Sequence, residues 1–224
     1  MAGVGGHQFA AFMVLLDVSI VNVALPSIER GLAVSAATAQ WVISGYPLAL
    51  GLTLVPAGRL GDSLGRHRMF LIALTAFVVA SALTGAAPSI ELLIAARLLR
   101  GVAGAMLIPQ NSGLIQQLFQ GTERGRAFSI LGGTIGLATA AGPVIGGLIM
   151  ALVHGPDDWR WVFYVNVPIG LAALVPATRF VPSRTGDGWH GRDLDLLGSL
   201  LLGGGVLSLL IPMVDAGSGG ANRL

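Results

Sequence analysis

The 224-residue sequence contains no cysteine and no lysine, and only 11% of its residues are charged. Without cysteine there is neither a disulfide framework nor a thiolate metal site, and nothing indicates a redox compartment. Without lysine, all thirteen basic side chains are arginine, which together with abundant Ala and Gly fits a GC-rich genome. The arginines are scattered between apolar runs. A nucleic-acid surface needs a basic stripe interleaved with aromatics, so the sequence pI near 9.9 does not make the chain a nucleic-acid binder. His7, His67, His154 and His190 are far apart in loops or at helix ends and show no metal-ligand spacing. The Gly-rich segments neither follow a strand nor end in Gly-Lys-Ser/Thr, which excludes a phosphate loop, a dinucleotide site and an ATP-driven pump. The opening MAGVGGHQ carries no basic residue ahead of the first apolar run, and that run has an aspartate at its middle. Both features exclude a secretory signal with a positive start.

What the sequence has in quantity is apolar length. Hydrophobic residues make up 54% and mean hydropathy is +0.77, far outside the soluble range. The 33 glycines are the small residues that let membrane helices approach closely. About 20 apolar residues cross the hydrocarbon core, and the runs bounded by charge, Pro or Gly predict seven spans: Gln8–Leu25, Thr38–Ala57, Met69–Ala86, Ile90–Pro109, Ala127–Val153, Val162–Val181 and Leu194–Met213. The expected fold is an all-α polytopic transmembrane bundle in the lipid bilayer. Surface helices of a soluble protein would show polar faces, and these runs show almost none.

Arginine placement sets the orientation. An inner N-terminus puts Arg59, Arg66, Arg68, Arg124, Arg126, Arg179, Arg184 and Arg192 inside, against Arg30, Arg160 and Arg223 outside. Seven spans then leave the C-terminus outside. Its GSGGANRL ending reads as a loop, so the chain is expected to stop short of a finished transporter, with a few residues missing at the N-terminus as well.

Charges within the spans carry the chemistry. Asp17 sits mid-span, where a charge costs roughly 2.5–3.5 kcal/mol on insertion scales, so it must face the bundle interior or a watery cavity. A carboxyl there is either a proton carrier or a structural partner for a buried arginine. Arg97 and Arg100 lie three apart on one face of the fourth span, together with Gly101 and Gly104. Either arginine can hold Asp17 ionised or attract an anion, and Arg100 could instead snorkel or tie down backbone carbonyls. Asp17 precedes Pro26 by nine residues, as Arg100 precedes Pro109, a spacing compatible with inverted three-helix repeats.

Two glycine-rich segments complete the pattern. GRLGDSLGRHRMF, Gly58 to Phe70, is expected to form the inner loop between spans two and three. Its Gly58, Gly61 and Gly65 allow a tight turn, and Asp62 and Arg66 place opposite charges one helical turn apart. In span five, ATAAGPVIGG sets Gly142, Pro143, Gly146 and Gly147 where a kink and open space shape the helix for a neighbour.

Taken together, these motifs resemble the major facilitator superfamily, in particular its fourteen-helix drug:proton antiporter branch. LDVSIVNVALPSI is similar to the branch's helix-one signature, which implies that Asp17 and Asn22 take part in proton coupling and translocation. GRLGDSLGRHRMF resembles the superfamily loop motif through Gly58, Asp62, Gly65 and Arg66, implying a cytoplasmic gate. RLLRGVAGA resembles the helix-four motif with its buried arginine at Arg97. AGPVIGG resembles the helix-five antiporter motif, and WRWVFYVNVPIG the entry to helix six. The sequence departs from the family at Arg100, Ser63 and His67, where glutamine, arginine and lysine are usual.

The resemblance implies an N-terminal six-helix domain over residues 1–181, built from two inverted three-helix repeats, followed over 182–224 by a cytoplasmic loop and the first linker helix. It implies a multi-pass protein of the bacterial plasma membrane with a cytoplasmic N-terminus. The implied activity is alternating-access efflux of drug-like or antibiotic small molecules, driven by the proton gradient without a cofactor and completed by a C-terminal half. The alternatives are proton-symport uptake of a metabolite, or a truncated fragment that does not transport. None of these readings is enzymatic.

Overall fold

The computed structural model describes residues 2–153 and 155–180, with 205 and 208 as isolated positions. The expected seventh helix, the loop before it with Arg184, His190 and Arg192, and the positions His154 and Arg223 all lie outside the described residues. Within them the chain is helical throughout: α1 (Ala2–Leu32), α2 (Ala36–Leu64), α3 (Arg66–Ala86), α4 (Ile90–Leu118), α5 (Gly121–Leu152), α6 (Trp159–Tyr164) and α7 (Asn166–Phe180). Six helical segments are long and apolar enough to cross a membrane, the sixth being Trp159–Arg179, formed by α6 and α7 together.

The spans stand where the apolar runs place them, but several helices are longer than expected. The 29 residues of α2 extend roughly 44 Å at ~1.5 Å per residue, well beyond a hydrocarbon core of about 30 Å. Charges and prolines are therefore not helix ends here. Pro26, Pro47, Pro56, Pro109 and Pro143 all sit inside helices, as membrane bundles tolerate when neighbours satisfy the freed backbone groups. The expected inner loop Gly58–Phe70 is consequently helical except at Gly65, whose φ of 91° is open to glycine and strained for other residues. Gly65 alone ends α2 and starts α3. The sixth span is divided at Val165, whose backbone stays in the helical region, and Pro168 has no N–H to donate to the Tyr164 carbonyl.

Packing gathers the helices around α1 and α4. Helix α4 packs most extensively on α2 and α3, and α1 packs most extensively on α5 and α7. Two apolar cores result. The inner one gathers Met13, Val14, Phe70, Phe77, Ala103 and Leu107, and the outer one gathers Ile20, Ile28, Val42, Leu93, Trp159 and Phe163. On α1 and on α4 the stretch between these cores holds the charged residues. Large apolar side chains cover the outside, among them Val79, Leu92, Val144 at 70% exposed and Leu171, a surface suited to lipid or to other membrane helices.

The end of the bundle formed by the α1–α2 and α3–α4 connections is clasped by Asp157, Asp158 and the first residues of α6. Arg160 donates to the carbonyls of Gly85 (2.9 Å) and Ala87 (2.6 Å) at the end of α3, satisfying acceptors that a helix terminus leaves open. It also pairs with Asp157 at 2.8 Å and lies over the Trp159 ring, while Ser27 of α1 donates to Asp158.

Close approach of backbones makes Gly101 a sensitive position. A Cβ there would stand 2.5 Å from the Tyr46 carbonyl oxygen and 2.9 Å from Ala49 Cβ, whereas one at Gly132 would meet nothing within 4 Å. Gly101→Val is expected to lower stability by about 1–3 kcal/mol, read as a fall in the thermal midpoint in detergent, with Gly132→Val close to the parent. Equal losses in both variants would contradict this packing.

Candidate functional site

The three charges predicted within the spans meet between the two cores. Arg97 Nη1 donates to Asp17 Oδ2 at 2.6 Å, and Arg100 Nη1 stands 2.9 Å from Asp17 Oδ1. Asp17 and Arg100 are 0% exposed and Arg97 is 1% exposed. Of the alternatives for Arg100, snorkelling to the interface is thereby overturned, because the geometry turns its head inward. Asp17 reaches neither open water nor a helix end.

The two arginines are held differently. Arg97 also donates from Nε to the Val42 carbonyl of α2 at 2.8 Å and lies 4.7 Å from the centre of the Tyr46 ring. Arg100 is close to Oδ1, but the contact is poorly aligned for a hydrogen bond, and its Nε, Nη1 and Nη2 have no hydrogen-bond partner. Aromatic faces surround it instead, Phe77 at 4.8 Å and Phe163 at 5.6 Å, with the cation drawn to the ring quadrupoles. Arg97 is therefore anchored on α2 as well as on α1, and Arg100 is caged by rings.

Asn22, expected beside Asp17, is not in this cluster. It is exposed and bonds back to its own helix at the Val18 carbonyl, 3.1 Å away. The mid-span Tyr46 joins the cluster unforeseen, although it is one of only two tyrosines in the sequence and its position was a readable signal. Phe77 and Phe163 gave no comparable signal among many apolar neighbours.

At the end of the bundle that holds the α2–α3 connection, Arg66 pairs with Asp62 at 2.5 Å across the Gly65 break and donates to the Pro109 carbonyl of α4 at 3.0 Å. The guanidinium lies against Gly113, where any Cβ would displace it. Gly61 likewise admits the side chain of Gln110, which donates to the Ala57 carbonyl at 2.9 Å. A Cβ added at Gly58 would stand 3.6 Å from Pro109 Cβ, ordinary van der Waals contact. The motif therefore binds α2, α3 and α4 to one another, and its partners on α4 were not readable from residue spacing. Nearby, the buried His67 holds the Ala177 carbonyl at 3.0 Å.

In α5, Gly142 rests against Ser19 and Gly146 against Ile20 and Val23, so the small residues bring α5 onto α1. Pro143 points away from this contact and is exposed, and a Cβ at Gly147 would meet nothing. Among the described residues no group of His, Cys, Asp or Glu could hold a metal ion.

Six membrane-length helices around a sealed, ion-paired carboxylate define a polytopic membrane protein with a charged centre. The chain belongs to the Major Facilitator Superfamily, whose pattern it matches over residues 9–214. It is 39% identical to the probable actinorhodin transporter of Streptomyces coelicolor over 96% of its own length and 37% of that protein's. It is 41% identical to the puromycin resistance protein pur8 of Streptomyces alboniger, over 96% of this chain and 42% of the relative. It thus spans well under half the length of these relatives. A crystal structure of a peptide transporter in complex with alafosfalin superposes on 93% of this chain and 46% of its own with a TM-score of 0.72 at 14% identity, a likeness of fold alone. The chain is a multi-pass membrane protein of a transporter family related to drug-resistance proteins, and it is not an enzyme.

Removing one partner of a buried ion pair leaves the other charge uncompensated. Asp17→Asn is therefore expected to lower stability by about 3–5 kcal/mol, whereas Asn22→Ala should stay within about 0.5 kcal/mol. Unfolding followed by circular dichroism in detergent distinguishes them, and a parent-like Asp17→Asn would contradict the sealed geometry.

Proposed function

We propose that the chain is the N-terminal part of a proton-coupled exporter of drug-like or antibiotic small molecules, working by alternating access in the bacterial plasma membrane with its N-terminus in the cytoplasm. The observation that carries this reading is the Asp17 carboxylate, fully buried and shared between Arg97 and Arg100. A permanent structural ion pair needs one cation. Here one acid faces two, so adding a proton to Asp17 removes the only negative charge between two guanidiniums. Arg97 keeps its bond to Val42, Arg100 keeps its aromatic cage, and the tie between α1 and α4 is lost. In this reading Asp17 exchanges the proton, Arg97 tunes it, and the Asp62–Arg66 pair serves as the cytoplasmic gate. The α5 segment around Gly142 and Pro143 shapes the contact with the C-terminal half, and the six spans form two inverted repeats. Kinship with a probable actinorhodin transporter and a puromycin resistance protein supports export over uptake.

The test is a transport assay in proteoliposomes holding the complete transporter built on this chain, with puromycin and a panel of neutral aromatic compounds as probes. An inward proton gradient is expected to drive extrusion, and Asp17→Asn to reduce the driven component to background while leaving downhill exchange. Flux in the same direction as the protons would favour metabolite uptake instead. Unchanged coupling in Asp17→Asn would remove the proton-carrying role.

A further inference from the structure

Two buried polar groups beside the sealed carboxylate lack hydrogen-bond partners. Arg100 and Tyr46 are both 0% exposed, and neither the three guanidinium nitrogens nor the Tyr46 hydroxyl makes a hydrogen bond. Both groups lie against the ring of Phe77. A Cβ at Gly104, one helical turn beyond Arg100 on α4, would stand 2.6 Å from Tyr46 Oη and 3.5 Å from Phe77 Cε2. The Arg100 guanidinium carbon is 4.8 Å from the centre of the same ring. Gly104, having no side chain, gives the hydroxyl its place against α4. The rest of Tyr46 is accounted for by its ring, with Arg97 at 4.7 Å, and by its backbone carbonyl, which rests on Gly101. A phenylalanine would keep both contacts, so they leave the hydroxyl unexplained, and a buried hydroxyl without a partner is costly.

We infer that the Tyr46 hydroxyl is the acceptor to which Arg100 turns when Asp17 takes up a proton, which makes Tyr46 a positioning residue for the proton step. The inference rests on the reading of Asp17 as the proton carrier. While Asp17 is ionised, its charge holds the Arg100 head 2.9 Å from Oδ1 in a contact poorly aligned for a hydrogen bond. The incoming proton goes to Oδ1, the carboxylate oxygen without a hydrogen-bond partner, and cancels that attraction. A guanidinium donates and a phenolic oxygen accepts, so one rotation of Arg100 satisfies both buried groups. Arg97 keeps the Val42 carbonyl, and both arginines are then fastened to α2 and neither to α1. The exchange therefore stabilises the protonated state. Other charged and titratable groups stand away from this step. Helices α3, α5 and α7 carry theirs only in a turn or two at one end, and on α6 Arg160 is engaged with Asp157 and Tyr164 lies against Gly85. Glutamine, usual in the family at position 100, has no charge for Asp17 to hold, so the exchange belongs to a chain with arginine there.

Infrared difference spectroscopy of the complete transporter built on this chain, in lipid bilayers, reads the proton step without substrate or gradient. The protonated-carboxyl stretch that grows on acidification and is lost in Asp17→Asn reports residue 17. Its midpoint is compared in the parent, Tyr46→Phe, Arg100→Gln and the double variant. Tyr46→Phe removes one oxygen and is expected to move the midpoint to acid by about one pH unit, the size of one lost hydrogen bond to a charged group, because the protonated state loses its stabilising bond. In the Arg100→Gln background the same change should move it by less than about 0.3 of a unit. A Tyr46→Phe midpoint equal to the parent's, or shifted to alkali, overturns the exchange, and so does an equal acid shift in both backgrounds. The first comparison uses a variant that keeps the parent's packing, so it decides even where Arg100→Gln does not fold. A residue-17 carboxyl that titrates without regard to Tyr46 removes the exchange and leaves the proton-carrying role standing, whereas a spectrum with no titrating band lost in Asp17→Asn removes both.

Discussion

A carboxylate enclosed in hydrocarbon must be paired, and the way it is paired fixes much of the rest of this bundle. Asp17 has no water to solvate it, so α1 has to run beside a helix carrying cations at the same depth. Arg97 and Arg100 meet that requirement from α4, three residues apart on one face. Both arginines then need surroundings of their own. The Val42 carbonyl and Tyr46 ring draw α2 to Arg97, and Phe77 and Phe163 bring α3 and α6 around Arg100. Five helices are therefore positioned by a single acid and its two partners, with apolar cores sealing the cluster from either side.

Charge count gives this arrangement its functional character. An ionised Asp17 with two guanidiniums leaves one surplus positive charge in a region of low dielectric, where it is offset only by aromatic faces. Burying a charge pair of this kind is poor design for stability, since well-packed apolar residues of similar volume often do as well or better. In the proposed reading the cluster serves a change of state rather than the support of one state. The asymmetry between the arginines points the same way, with Arg97 fixed by its own hydrogen bond to α2 and Arg100 held by none.

Much of this was legible in the sequence because membrane burial makes a charge conspicuous. Asp17, Arg97 and Arg100 stood out against apolar runs, and the structure brings all three together. Helix ends were less legible, because prolines and charges that would stop a soluble helix lie inside or beyond a span here, as at Pro56 and across Gly58–Leu64. Partner identity was not legible either. Nothing in the spacing distinguished the exposed Asn22 from a cluster member, and Phe77 and Phe163 resembled ordinary core residues. The roles of Gly61 and Gly113 depend on side chains that reach them from another helix, Gln110 and Arg66, and such contacts exist only once the helices have packed.

The central claim is that Asp17 fastens α1 to α4 chiefly through Arg97, with Arg100 as the less firmly bonded second cation. The most direct measurement is a pair of double-mutant cycles on the unfolding free energy in detergent, combining Asp17→Asn with Arg97→Gln in one and with Arg100→Gln in the other. The account predicts a coupling for Asp17 with Arg97 of at least about 1.5 kcal/mol, and a clearly smaller one with Arg100. Additivity within about 0.5 kcal/mol in the Arg97 cycle would contradict it.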